Sequence, residues 1–159
     1  EQFGGHMYAA GMTLLEENYQ KFKTAFEEEV KTTIQSEMLT PEISVDAEIE
    51  FREITPKLIR ILKQFEPFGP QNMTPIFVSY DVVDSGYAKT IGSDNEHLKL
   101  FVKQDDSVGF GAIAFGLGNQ LEKIQHRKPF NAVFSIEENE WNDTVSIQLQ
   151  IRDINVHKL

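Results

Sequence analysis

The 159-residue sequence contains no cysteine, which excludes disulfide bridges and thiolate metal sites and fits a cytoplasmic protein. It has no apolar run near the roughly 18 residues that a membrane helix requires, so no membrane partner is predicted. A Gly-x-Ser-x-Gly elbow, a Gly-Lys-Ser/Thr phosphate loop and a Rossmann glycine pattern are also absent. No Asp and His cluster has metal-ligand spacing, and the acidic run at 27–29 lies on a predicted helix whose successive side chains diverge. The residues themselves therefore predict neither a catalytic group nor a metal site.

Positive charge is scarce overall, since the formal net charge is −10. Such a balance argues at first against a nucleic-acid partner. The charge is unevenly distributed, however, because the window 89–128 holds six Lys or Arg residues against five Asp or Glu residues. A locally basic face on an acidic body remains compatible with binding a phosphate chain.

The chain opens on Phe-Gly-Gly-His at 3–6 and then runs into small residues at 9–11. Glycine permits backbone conformations and close approaches that other residues do not, and a helix start behind it would direct N–H groups at an anion. We therefore predict a turn and a short helix over 4–11, with Gly4 and Gly5 at a phosphate-binding corner. His6 is either a phosphate contact or, as most lone histidines are, a structural or exposed residue. A start without methionine or signal peptide indicates a piece of a larger protein.

Helix signals dominate up to the middle of the chain. Apolar residues recur at three- and four-residue spacing over 19–34, after Asn18 as a candidate N-cap, and predict an amphipathic helix with a solvated face over a core stripe. Alternation over 43–49 predicts a strand, and Thr55-Pro56 predicts the start of a second helix. The stretch 65–75 contains three prolines and a glycine, so we place a stiff inter-domain connection there.

From residue 76 onward the pattern predicts strands. They are expected over 76–89, 96–103, 108–115, 130–138 and 144–156, with a short helix over 120–126 and a hairpin turn at 139–143. This order of three strands, one helix and two strands, within about 80 residues, is that of an OB-fold barrel. The predicted fold class is therefore α+β, with an N-terminal α/β region followed by a five-stranded OB barrel.

The second of these strands separates two chemistries. Aliphatic residues at 98, 100 and 102 alternate with Lys99, Phe101 and Lys103, so the two sets lie on opposite faces. Lysines around an exposed ring are typical of a surface that binds single-stranded nucleic acid, where bases stack on aromatic rings. Alternatively, the same lysines keep a strand edge soluble and Phe101 packs on a neighbour. Gly109 and Gly111 on the next strand either admit a ligand or relieve crowding in a curved barrel.

Two further residues are candidates for the same surface. Trp141, at the predicted hairpin tip, is either a hairpin anchor or a ring for a stacked base. Arg152 lies on the polar face of the last strand, which faces either water or nucleic acid. The sequence leaves both alternatives open.

Residues 3–14 resemble the Gly-Gly-His…Ala-Ala-Gly motif of the DHH-associated domain in the DHH phosphoesterase superfamily. The stretches 65–72, 97–100 and 139–142, with Gln-Leu at 148–149 and Arg-Asp-Ile at 152–154, are similar to the C-terminal part of the RecJ family of single-strand-specific 5′→3′ exonucleases. Gln71 departs from that family, which usually has glycine there.

The resemblance implies a division of the chain and a function. Residues 1–64 would be the end of a DHH-associated domain with its connecting helix, and 76–159 an OB domain binding single-stranded DNA in repair and recombination. The whole bacterial protein would hydrolyse phosphodiesters with Mn²⁺ or Mg²⁺ held by an absent N-terminal DHH domain, so this piece alone is predicted to be inactive and to bind no metal. Gly4, Gly5 and His6 would contact the substrate phosphate, and the DNA-binding residues would be Lys99, Phe101, Lys103, Trp141 and Arg152. The alternative is an OB module that binds other repair proteins and no DNA.

Overall fold

The computed structural model describes residues 2–6, 8–141 and 144–155, apart from the side chain of Trp141. The chain forms two compact units, Glu1–Ile43 and Ser44–Leu159. In the described part of the chain, no helix combines the length and apolar character that a transmembrane span requires.

The first unit is a β-hairpin followed by a helix. Strands β1 (Gln2–His6) and β2 (Ala9–Thr13) pair antiparallel, and helix α1 (Tyr19–Thr33) follows after a 3₁₀ turn at Glu16–Asn18. The predicted turn and short helix over 4–11 is therefore wrong. Small residues at those positions serve close strand pairing instead, because a Cβ added to Gly5 would lie 2.9 Å from that of Ala10.

Helix α1 confirms the predicted amphipathic helix, but its apolar stripe is not buried within this unit. Phe22 and Phe26 stack on each other with ring centroids 5.7 Å apart, and both stay exposed. None of the described residues in this unit is buried. The expected core stripe is therefore an exposed apolar face here.

The second unit begins with a short strand and a helix. Strand β3 (Ala47–Glu48) pairs parallel with the first barrel strand, and a 3₁₀ turn (Phe51–Glu53) leads to helix α2 (Pro56–Leu62). The Thr55 side chain caps α2 by accepting a hydrogen bond from the Leu58 amide at 3.3 Å. This confirms the predicted helix start, whereas the strand expected over 43–49 is only two residues long.

The proline-rich stretch is ordered by one side chain. The side-chain amide of Asn72 donates hydrogen bonds to the backbone carbonyl oxygens of Phe65 and Pro67 at 2.7 and 2.9 Å. The backbone of Asn72 pairs with that of Gly69. Its neighbour Gln71 has φ 71°, in the left-handed region that favours glycine. The departure from glycine noted in the sequence thus falls at a strained position.

Replacing Gln71 with glycine is expected to raise the free energy of unfolding by up to about 1 kcal/mol, because glycine adopts this backbone without a Cβ penalty. Urea denaturation would measure the change. The matched control is Gln71→Ala, which removes the side chain but keeps the penalty and should give no gain. Equal gains in both variants would show that the glutamine side chain, and not the backbone, is unfavourable.

The barrel has the strand order of an OB fold. Its elements are β4 (Phe77–Asp84), β5 (Lys89–Ile91), β6 (His97–Lys103), β7 (Phe110–Ala114), α3 (Leu121–Ile124), β8 (Phe130–Trp141) and β9 (Thr144–Asn155). The ring runs β4-β8-β9-β7-β6 and closes where β6 pairs with β4; β5 extends it beyond β6, and β7 and β9 are parallel. The strand predicted over 76–89 is interrupted after Asp84. In the predicted hairpin turn at 139–143, Asn142 and Asp143 lie outside the described residues.

The barrel core includes a ring from outside the barrel strands. Phe51 is only 1% exposed, and its ring meets those of Phe110 and Phe134 edge-on at 5.6 and 5.8 Å. The Phe51 backbone amide donates a hydrogen bond to Oε1 of Gln104 at 2.8 Å. The Nε2 group of Gln104 in turn donates to the backbone carbonyl of Tyr80. The segment before α2 therefore packs as part of the barrel.

This packing moves the division of the chain. The compact units separate between Ile43 and Ser44, ahead of the connection that the sequence placed at 65–75. Ile59 and Leu62 of α2 pack on the barrel core together with Phe51. The prolines and the glycine therefore mark a bend inside the second unit. The sequence placed the boundary at that bend because the contacts that join 44–64 to the barrel are long-range and leave no local signal.

Candidate nucleic-acid interface

Strand β6 presents the predicted polar face to solvent. Leu98, Leu100 and Val102 are buried, whereas the intervening Lys99, Phe101 and Lys103 are exposed. Its partner β7 follows the same alternation, with Gly111 opposite Phe101 and Ile113 opposite Lys99. The outward side of these strands therefore carries an exposed ring between two cations.

A second ring completes this surface. Tyr87, in the 85–88 loop between β4 and β5, stands edge-on to Phe101 with centroids 6.3 Å apart and an interplanar angle of 75°. Tyr87 is 71% exposed and Phe101 37% exposed. The two rings and Gly111 border a concave site of about 660 Å³ that also meets Lys89 and Lys99.

Sequence reasoning missed Tyr87 and Lys89 because it read 76–89 as one strand. Asp84 ends that strand with a buried carboxylate, 2% exposed, that accepts the amide hydrogens of Gly86 at 2.7 Å and Ala88 at 3.0 Å. Its other oxygen accepts from the Phe101 amide at 3.1 Å. The signal that could have found this loop is Asp-Ser-Gly at 84–86, a common turn sequence.

Two glycines near Phe101 play different parts. The Phe101 ring lies directly over Gly109, where an added Cβ would overlap it, whereas a Cβ at Gly111 would meet nothing within 4 Å. Gly109 therefore leaves room for the Phe101 ring, and Gly111 leaves its part of the concave site open. Of the two alternatives that the sequence left open, Gly109 fits the relief of crowding, because its missing side chain makes room for the ring of a neighbouring residue.

Three lysines around the site carry unbalanced charge. Lys89, Lys99 and Lys103 are exposed, and none forms an ion pair within the described residues. Lys89 stands directly opposite Lys99 in the β5–β6 pairing. The positive charge on this side is thus available to an external anion.

Arg152 is placed differently from the lysines. It donates to the Ser135 hydroxyl at 3.3 Å and lies 4.0 Å from the Glu137 carboxylate. Strands β9 and β8 carry these residues, and β7 separates them from Phe101. The structure therefore does not bring Arg152 together with the lysines and the rings, and it offers Arg152 a carboxylate. Trp141 ends β8, and its side chain lies outside the described part.

The turn between β5 and β6 is organised by a carboxylate. Hydrogen bonds from the backbone amides of Glu96 itself and of Asp94 hold the pKa of the Glu96 carboxyl below its usual value, with a smaller contribution from His97. His97 accepts the Gly116 amide hydrogen through Nδ1 at 3.1 Å. These contacts fix the start of β6.

The glycine and histidine residues at the start of the chain lie in the first unit. Gly4, Gly5 and His6 are exposed on β1, and the His6 Nδ1 accepts a hydrogen bond from the Tyr8 amide at 3.2 Å. The remaining ring nitrogen of His6 is the one left to meet a ligand. Phosphate contact by these three residues stays a prediction.

The donor set for a catalytic metal is not gathered in the described residues. Among them, no group of three or more His, Asp or Glu side chains could hold a metal ion.

The chain matches the model of the family described as the RecJ OB domain over residues 45–153. It is 30% identical to the single-stranded-DNA-specific exonuclease RecJ of Bacillus subtilis over 155 residues, covering 97% of this chain and 19% of that protein. It is 26% identical to the enzyme of the same name from Escherichia coli over 160 residues, covering 96% of this chain and 26% of that protein. The chain thus spans about a fifth to a quarter of these relatives.

Solved structures give the same picture of the fold. The crystal structure of RecJ from Thermus thermophilus in complex with Mn²⁺ matches with a TM-score of 0.74 and 20% identity over 99% of this chain and 22% of that one. The structure of the same protein with Mg²⁺ gives the same score and identity and covers 23% of that chain. The likeness confirms the predicted α+β class and OB barrel.

Proposed function

Because this chain belongs to the RecJ OB-domain family, we propose that its second unit binds single-stranded DNA as part of a larger 5′→3′ single-strand-specific exonuclease. The observation that carries the proposal is the outward face of β6, where unpaired lysines flank an exposed ring. Lysines neutralise phosphates without reading sequence, and a ring stacks any base. Lys99, Phe101 and Lys103 are the principal contacts, and Trp141 and Arg152 are the other proposed contacts.

Hydrolysis belongs to a part of the protein outside these residues. The chain covers about a fifth of the B. subtilis relative, and its described residues gather no metal ligand set. In the proposed whole enzyme, Mn²⁺ or Mg²⁺ is held by a DHH domain, while Gly4, Gly5 and His6 contact the substrate phosphate from the opposite side of the cleft. The pathway is DNA repair and recombination in the bacterial cytoplasm, and other repair proteins are candidate partners.

The proposal is tested by the salt dependence of oligonucleotide binding. Fluorescence anisotropy with labelled oligo-dT should show log K falling linearly with log salt, because each phosphate contact releases counterions. Lys99→Ala and Lys103→Ala should each reduce the steepness of that slope by about 0.7. The control is Lys57→Ala on α2, which should leave the slope unchanged.

Binding that ignores both salt and the two β6 substitutions would overturn the assignment of this face. A chain that binds no oligonucleotide, yet is retained by a purified repair protein, would favour the alternative of a protein-interaction OB module.

A further inference from the structure

We propose that Tyr87, Phe101, Lys89 and Lys99 form a subsite for one nucleotide, whose base stacks on one of the two rings with its edge toward the other, and whose phosphate lies between the two lysines. The inference rests on the proposed function and adds to it a defined place for a single unpaired base. Tyr87 and Lys89 are its new components.

The rings form two walls of a site that is already open. Phe101 and Tyr87 both line the cavity, and the Phe101 ring occupies the space where a Cβ at Gly109 would lie. The rings meet at 75°, so a base stacked flat on one presents its edge to the other. The volume of about 660 Å³ falls within the range of small-molecule sites and admits a base with its sugar.

The lysine pair supplies the argument for a phosphate. Lys89 and Lys99 are directly opposed across two strands, an arrangement that is unfavourable for like charges. No carboxylate among the described residues forms an ion pair with either of them. A phosphate placed between them would relieve the repulsion, so the free protein is arranged to gain from binding an anion there.

The loop that carries Tyr87 is held before any ligand arrives. Asp84 binds the amides of Gly86 and Ala88 on either side of Tyr87, and the same carboxylate binds the Phe101 amide. One buried group therefore fixes the backbone under both rings. Preorganisation of this kind reduces the ordering cost of binding.

The subsite also accounts for a choice of strand. A base in a duplex is stacked and paired, and only an unpaired base can stack on one of these rings. Stacking on rings tolerates any base, so the subsite selects single strands without selecting sequence.

The test uses the whole chain and two octamers, one of abasic sugar-phosphate units throughout and one with a single thymine among them. The thymine should tighten binding about 5- to 150-fold, because one stacked base contributes that much. Tyr87→Ala should lose the gain and Tyr87→Phe should keep it. Tyr19→Ala, a truncation of another exposed tyrosine, is the matched control and should keep it as well.

Two outcomes separate this inference from the proposed function. If neither octamer binds in a salt-dependent way, the proposed function fails. If the abasic octamer binds but the thymine adds nothing, or if its gain survives in Tyr87→Ala, only the subsite is overturned.

Lys89→Ala gives an independent measurement on folded protein. It should raise the melting temperature slightly, because it removes a like-charge pair, and weaken binding of the abasic octamer at the same time. A Lys89→Ala variant in which the melting temperature and the affinity for the abasic octamer both rise, or both fall, would contradict the proposed phosphate position.

Discussion

Replacing Phe51 with alanine is expected to lower the free energy of unfolding of the second unit by about 3–5 kcal/mol. The ring is 1% exposed and packs against Phe110 and Phe134 inside the barrel, so its removal leaves a cavity that rigid strands cannot close. Urea denaturation of the whole chain, followed by the β-sheet signal in far-UV circular dichroism, measures the change, because the barrel strands all lie in this unit.

The matched control is Phe65→Ala, because Phe65 is 56% exposed and precedes the proline-rich bend. Its truncation should change the free energy of unfolding by less than about 1 kcal/mol. The reverse ranking, with Phe65 dominant and Phe51 negligible, would mean that the barrel is complete without residues 44–64, as the sequence alone suggested. The pair of variants therefore locates the start of the OB domain energetically.

Replacing Asp84 with alanine is expected to cost about 3–5 kcal/mol of stability and to weaken oligonucleotide binding in the same variant. Three backbone amides, those of Gly86, Ala88 and Phe101, lose a charged acceptor, and each such bond is worth about 1.5–3 kcal/mol without being additive. The affinity should fall further than the stability loss explains, because the 85–88 loop no longer holds Tyr87 beside Phe101.

Asp84→Asn separates the two effects. Its amide oxygen can accept from Gly86 and Ala88, whereas its NH₂ group would face the Phe101 amide, so an intermediate loss of stability is expected. Asp153→Ala, which removes an exposed carboxylate from β9, is the control and should change stability by about 0.5 kcal/mol or less. Urea denaturation measures the stability of each variant. Fluorescence anisotropy with oligo-dT, under conditions in which each variant is folded, measures its affinity. Unchanged affinity in folded Asp84→Ala would show that the loop does not need its anchor to bind DNA.

Local patterns in the sequence predicted those elements whose periodicity is strong. The alternation along β6 gave both its buried and its exposed face, and Thr55-Pro56 marked the start of α2. The relation to RecJ, inferred from motifs spread along the chain, is confirmed by the family match over 45–153. These features are determined by residues that lie close together in the sequence, so the sequence alone is enough to predict them.

The failures share a different cause. Small residues at 4–11 fit a helix start or a tight hairpin equally well, and only the pairing of Gly5 with Ala10 decides between them. Phe51 joins the barrel through contacts with residues more than fifty positions away. Tyr87 meets Phe101 from a loop whose backbone is held by the buried Asp84 carboxylate. Long-range packing of this kind leaves no periodic trace in the segment that it recruits.

The place of β9 in the barrel has a consequence for synthesis. This strand lies between β8 and β7, and it pairs in parallel with β7, which precedes it by more than thirty residues. While the ribosome is still making β9, both β7 and β8 have an open edge, and open edges recruit strands from other chains. The barrel should thus close late, in one step, and the nascent chain should depend on chaperones most during that interval.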